Sequence, residues 1–138
     1  MATNDIKSKI SASFARQSMM ATFGAKLEEV EEGRVTLSAP ILAGAQQQHG
    51  FAHAGLTFAL GDSAAGYTAL SVMPLDAEVL TAEMKINLLA PGKGDRLIAI
   101  GRVIKPGRRL VVAASDVYAE ENGERTLIAT LMGTLVPV

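Results

Sequence analysis

The 138-residue chain balances 13 Lys and Arg against 14 Asp and Glu, a formal net charge of -1 that offers no overall field to nucleic acid or an anionic membrane. It has no cysteine, which excludes disulfides, thiolate metal sites and Cys nucleophiles, and two histidines, His49 and His53, too few for a His-rich metal site. With 49% hydrophobic and 20% charged residues it reads as one globular domain over residues 1–138, small enough that further burial by self-association is expected.

Thr3 and Asn4 are cap candidates, and Ile6, Ile10 and Phe14 follow at helical spacing, so a short amphipathic helix is expected within about residues 3–20. This start lacks the apolar core and cleavage pattern of a signal peptide. Lys7, Lys9 and Arg16 carry a trace of a transit peptide, but Asp5 and the mixed polarity favour an ordinary surface helix. No apolar run reaches the length of a membrane span, so a cytoplasmic protein is the expectation. Two short strands follow between Gly24 and Ser38, turning at Glu31-Glu32-Gly33, and then a loop with Pro40, Gly44 and the polar run Gln46 to Gly50.

Ala54 to Met73 holds apolar or small residues around its whole circumference, as a helix buried on most sides does, and Pro74 ends it. Gly61 and Gly66 cost helix propensity but allow neighbouring backbone to approach. From Leu80 to Leu88 apolar and polar residues alternate, the pattern of a half-buried antiparallel strand. Strands over Leu97–Ile104, Leu110–Ala119 and Thr126–Val136 are separated by turns at Pro106-Gly107 and Asn122-Gly123, after a turn at Pro91 to Gly94. The order specifies an α+β domain, an antiparallel sheet wrapped around one long central helix.

Asp62 is the only charged side chain in that helix, among Leu60, Ala64 and Ala65. A buried carboxylate is costly without a partner, so it either faces a polar pocket or an interface, or points to solvent through a gap in the packing. His53 stands where loop becomes helix, followed by Ala54-Gly55. The N–H groups of a first helical turn lack intrahelical acceptors and suit a carbonyl or oxyanion, although His53 also fits a plain capping role. Gln46, Gln47 and Gln48 are amides able to orient a carbonyl or water, or a solvated loop. Lys105, Gly107, Arg108 and Arg109, with Lys93 near in sequence, form either a phosphate-binding cluster or a solvated turn. Gly92-Lys93-Gly94 lacks P-loop spacing, no nucleophile-elbow motif is present, and metal-ligand spacing is absent.

These pieces together resemble the phenylacetyl-CoA thioesterase (PaaI-like) branch of the hotdog superfamily. The resemblance runs from Phe23-Gly24 to Gly133 and rests on three features: Gln47 six residues before His53-Ala54-Gly55, Asp62 nine residues after the histidine, and the stretch Thr81 to Gly92. Gln47 replaces the family's asparagine and Ala54 the first glycine of its HGG. The resemblance implies a hotdog fold, with sites at the interface of a homodimer that pairs further into a homotetramer. It implies an acyl-CoA substrate and no metal or redox cofactor. Asp62 would act as general base or nucleophile, and the Ala54 N–H, with Gly55, would polarise the thioester carbonyl. Gln47, or Gln46 or Gln48 in its place, and Thr81 would position water, His53 would support the loop or bind the thioester region, and Lys105, Gly107, Arg108 and Arg109 would meet CoA. A hydratase on this fold would need a histidine later in the helix, which is missing. An acyl-CoA-binding or sensing protein without catalysis is the alternative.

Overall fold

The computed structural model describes residues 2–138. Thr3 caps helix α1 (Asn4–Arg16), its hydroxyl accepting from the Ile6 N–H at 3.2 Å, and Ile6 and Ile10 are buried beneath it. The helical stretch breaks at Gln17, whose backbone is extended, and resumes as α2 (Ser18–Thr22). Strands β1 (Lys26–Glu31) and β2 (Arg34–Pro40) form the expected first hairpin, with Gly33 at a positive φ of 80° in its turn. A single 3-10 turn at Ala43–Ala45 leads into the polar loop.

Helix α3 (Ala54–Leu70) stops three residues short of the expected Met73, because Ser71 to Met73 tighten into turns before Pro74. Strands β3 (Val79–Leu88), β4 (Arg96–Pro106), β5 (Val111–Glu121) and β6 (Glu124–Pro137) complete one six-stranded sheet in the order β1-β2-β4-β5-β6-β3, antiparallel throughout. The sheet curls around α3, as the α+β hotdog reading requires. The core lies between them, built from Leu56, Leu60 and Leu70 of the helix against Leu37, Leu97, Val111, Leu131 and Leu135 of the sheet. No helix among the described residues is long and apolar enough to cross a membrane.

Two glycines set the depth of the helix. A Cβ on Gly61 would stand 2.8 Å from Leu131 Cδ1, and one on Gly101 of β4 would stand 2.5 Å from the Ala64 carbonyl oxygen. The helix backbone therefore rests on the Leu131 side chain at the first point and comes close to the β4 backbone at the second. Ser115 of β5 adds a buried hydrogen bond, its hydroxyl donating to the Gly61 carbonyl at 2.8 Å. Gly66 behaves differently from the close-approach role expected of it. A Cβ there meets nothing within 4 Å, because Gly66 borders a cavity.

Edge strand β3 stands apart. Most of its residues are exposed, Leu80 and Leu88 at 58% each. Between Thr81 and Glu83 its pairing with β6 slips by one residue at a bulge, leaving Thr81 opposite Leu135 and Met84 opposite Gly133. Opposed residues share a face, so the bulge turns Thr81 inward, towards α3.

Candidate active site

Asp62 lies midway along α3, half-buried, and its Oδ1 accepts a 2.8 Å hydrogen bond from the Thr81 hydroxyl. Burial raises the Asp62 carboxyl above the ordinary carboxylate value, and the Thr81 hydrogen bond opposes that rise by favouring the charged form. Both residues border a cavity of about 230 Å³ between α1, α3 and the start of β3. Its other walls hold Ser13, Gln17, Ser63, Gly66, Tyr67, Glu78 and Val79. Of these the sequence singled out only Gly66, and that for close packing. Tyr67 offered the one available signal, since a phenol in an otherwise apolar buried helix needs a polar partner.

The start of α3 forms a separate feature. His53 is the N-cap, and its Nδ1 accepts from the Gly55 N–H at 2.8 Å, while its carbonyl takes the Leu56 and Thr57 N–H groups. Glycine at 55 makes room for the ring, since a Cβ there would lie 3.0 Å from Nδ1. The Gly55 N–H is thus already engaged. The Ala54 N–H has no acceptor among the described residues, and its position at the positive end of the helix dipole suits an oxygen bearing developing charge.

Gln47 holds the preceding loop closed. Its Oε1 accepts from the His49 N–H at 2.5 Å and the Phe51 N–H at 3.4 Å, while its backbone N–H donates to the Phe51 carbonyl. Gln47 and Ala54 share a second, more apolar cavity of about 470 Å³ with Phe51, Leu88 and Ile128. Gln46 donates instead to the Ile41 carbonyl, and Gln48 is exposed.

The structure therefore joins Asp62 to Thr81, and Gln47 to Ala54, but does not join the two pairs within one chain. Asp62 lies eight helical steps beyond Ala54, about 12 Å along the axis at 1.5 Å per residue. Arg108 and Arg109 are exposed at the tip between β4 and β5 and pair with no carboxylate among the described residues. Register places that tip at the Thr81 end of the sheet, since Val111 opposes Leu135 and Leu135 opposes Thr81. Gly107 is required there, because a Cβ would approach the Leu110 carbonyl oxygen to 2.4 Å, and Lys105 follows a bulge in the same hairpin. No group of three or more His, Cys, Asp or Glu among the described residues could hold a metal ion.

Comparison with known proteins identifies the family and the fold. The Thioesterase superfamily pattern matches residues 49–126, which span the loop, α3 and the strands through β5. The chain belongs to the thioesterase superfamily. It is a hydrolase with the hotdog fold. A thioesterase family protein from Silicibacter pomeroyi is 45% identical and superposes with a TM-score of 0.94 over 96% of this chain and 98% of its own. A relative from Saccharolobus solfataricus that carries an esterase name is 30% identical over 94% of this thioesterase and 83% of its own length. The PaaI protein of the Escherichia coli phenylacetic acid degradation operon shares the fold, with a TM-score of 0.89 at 19% identity, covering 100% of this chain and 96% of the other.

Proposed function

We propose that this thioesterase hydrolyses an acyl-CoA thioester to the free acid and CoA at a site made by two copies of the chain. The observation that carries the reading is the half-buried Asp62, hydrogen-bonded by Thr81 at the mouth of a cavity, in a chain whose free helix-terminal N–H is about 12 Å away. In a twofold homodimer, Asp62 of one protomer faces the loop and helix start of its partner across the exposed edge strand β3. The thioester oxygen accepts from the partner subunit's Ala54 N–H, where the donor meets charge that grows in the transition state. Asp62 takes a proton from water as the water oxygen bonds to the carbonyl carbon. The carbon–sulfur bond then breaks, the proton held by Asp62 passes to the sulfur, and CoA leaves as the thiol.

In this reading Thr81 fixes one carboxylate oxygen, leaving the other for the water, and the partner's Gln47 presents its amide nitrogen. His53 holds the loop-to-helix junction through Gly55. The hairpin tip with Lys105, Gly107, Arg108 and Arg109 meets CoA phosphates by charge-assisted hydrogen bonds. Pairing of dimers into a tetramer belongs to the same proposal.

Mixing two inactive variants tests the composite site. Asp62→Asn removes the base, and Ala54→Pro removes the N–H at the first helical position, where proline is tolerated. Mixed dimers contain one site with both groups intact, so unfolding and reassembling the two together should restore roughly a quarter of wild-type activity. No recovery on mixing, with dimers formed, would place the whole site within one chain.

A further inference from the structure

The cavity beside Asp62 ends on a polar wall. Gln17 Nε2 donates to the Tyr67 hydroxyl at 2.8 Å, Ser13 Oγ lies 3.1 Å from the same oxygen, and Ser63 Oγ donates to Gln17 Oε1 at 3.4 Å. Gln17 stands at the joint between α1 and α2 and makes no side-chain capping bond there, so its amide serves this wall instead. The wall is anchored. Ile6 and Ile10 are buried under α1, Phe14 meets the Tyr67 ring edge-on at 6.3 Å, and Lys9 Nζ donates to the Leu75 and Ala77 carbonyls.

We propose that Gln17, with Ser13 and Tyr67, is the end wall of the acyl pocket and restricts the enzyme to short acyl groups. The inference rests on the thioesterase reading of Asp62. The thioester carbon beside that carboxylate carries two arms; the CoA arm is far too large for about 230 Å³, and the acyl arm is the one this cavity can take. An acyl group short enough to lie between Asp62 and Gln17 is accommodated there. A longer alkyl chain has to displace Gln17. That strips a partner from the Tyr67 hydroxyl, on a side chain only 4% exposed, and sets hydrocarbon against an amide.

The test measures kcat/KM for straight-chain acyl-CoAs from acetyl to palmitoyl with wild type, Gln17→Ala and Gly66→Val. The wild type should lose about 10-fold or more once the chain outgrows the cavity, the scale of a misfit methylene group. Gln17→Ala should move that fall to longer chains by several carbons. Gly66→Val, whose side chain enters open cavity space, should move it to shorter ones. A general folding defect lowers all substrates together and leaves the long-to-short ratio unchanged, so the ratio is the readout, and Gly66→Val supplies it even if Gln17→Ala does not fold. Hydrolysis with one unchanged length profile in all three proteins, or a wild-type preference for palmitoyl-CoA, would overturn the end wall alone. A folded wild type that hydrolyses no acyl-CoA would overturn the thioesterase reading and this inference together.

Discussion

Thr81 and Asp62 are joined across two elements, the hydroxyl of an edge strand donating at 2.8 Å to a carboxylate on the central helix. Their effects on the carboxyl oppose each other, burial raising its pKa and the hydrogen bond lowering it. If the ionised carboxylate is the base, the acid limb of kcat/KM should lie above the ordinary carboxylate range. Thr81→Ala removes the lowering contribution, so the limb should move to still higher pH. A pH–rate profile that is the same in both proteins would disconnect the hydroxyl from the base.

Asp62→Asn removes the proton acceptor while nearly preserving shape. Activity on the best acyl-CoA should fall by about 100-fold or more, the scale of a lost acid–base group. Stability should respond in the other direction. Because the folded pKa is raised, the native state holds its proton to higher pH than the unfolded chain, and stability falls as pH rises from the ordinary carboxylate value through the raised one. The amide has no such dependence. Denaturant melts at several pH values should therefore find the variant at least as stable as wild type at neutral pH.

Ala54→Pro alone isolates the helix-terminal N–H. His53 has the extended backbone, φ -63° and ψ 143°, that a following proline demands, and the deleted N–H donates to nothing among the described residues. Circular dichroism should be unchanged while kcat falls by about 100-fold, the lower end for loss of an oxyanion donor. Wild-type kcat in a folded Ala54→Pro protein would remove this N–H from the mechanism.

Replacing Arg108 and Arg109 together by Ala should raise KM for CoA thioesters and leave kcat nearly intact, because contacts to a remote phosphate are made equally in ground and transition states. The wild-type KM should also rise with salt more steeply than that of the double variant. Identical KM values at low ionic strength would return the tip to the role of a solvated turn.

The two kinds of glycine should separate in stability measurements. Gly66→Ala gains helix propensity without meeting any atom and should stabilise by about 0.5–1 kcal/mol. Gly101→Ala drives a methyl into the Ala64 carbonyl and should destabilise by about 1–3 kcal/mol or more. Thermal melts of the pair check both signs.

The architecture was readable in the chain because its signals are local. The all-round apolar character of α3, the alternation from Leu80 to Leu88 and the Asn122-Gly123 turn each fix an element by short-range periodicity or backbone preference. Asp62 was readable because a lone charge in such a helix demands an explanation. The inward turn of Thr81 was different. Strict alternation groups it with the outward-facing Glu83 and Lys85, and only the bulge in pairing with β6 reverses it. The Ser13–Gln17–Tyr67 wall was equally hidden, since it depends on a helix break at Gln17 and on contacts spanning some fifty residues. The engagement of the Gly55 N–H by His53 follows from a ring orientation that sequence does not encode directly.

Gly61, pressed by its main chain onto Leu131 and Ser115, lies immediately before Asp62. The carboxylate's height above the sheet is thus set by helix backbone seated on Leu131 and Ser115, and its orientation by the Thr81 hydrogen bond. Ser13, Gln17 and Tyr67 of the cavity make no hydrogen bond to Asp62 among the described residues, so they can vary without lifting or sinking the carboxylate. With Asp62 as the proposed base and the cavity as the proposed acyl pocket, reactivity and selectivity rest on separate side chains, so a lineage can trade one acyl substrate for another by editing the cavity while the carboxylate stays in place.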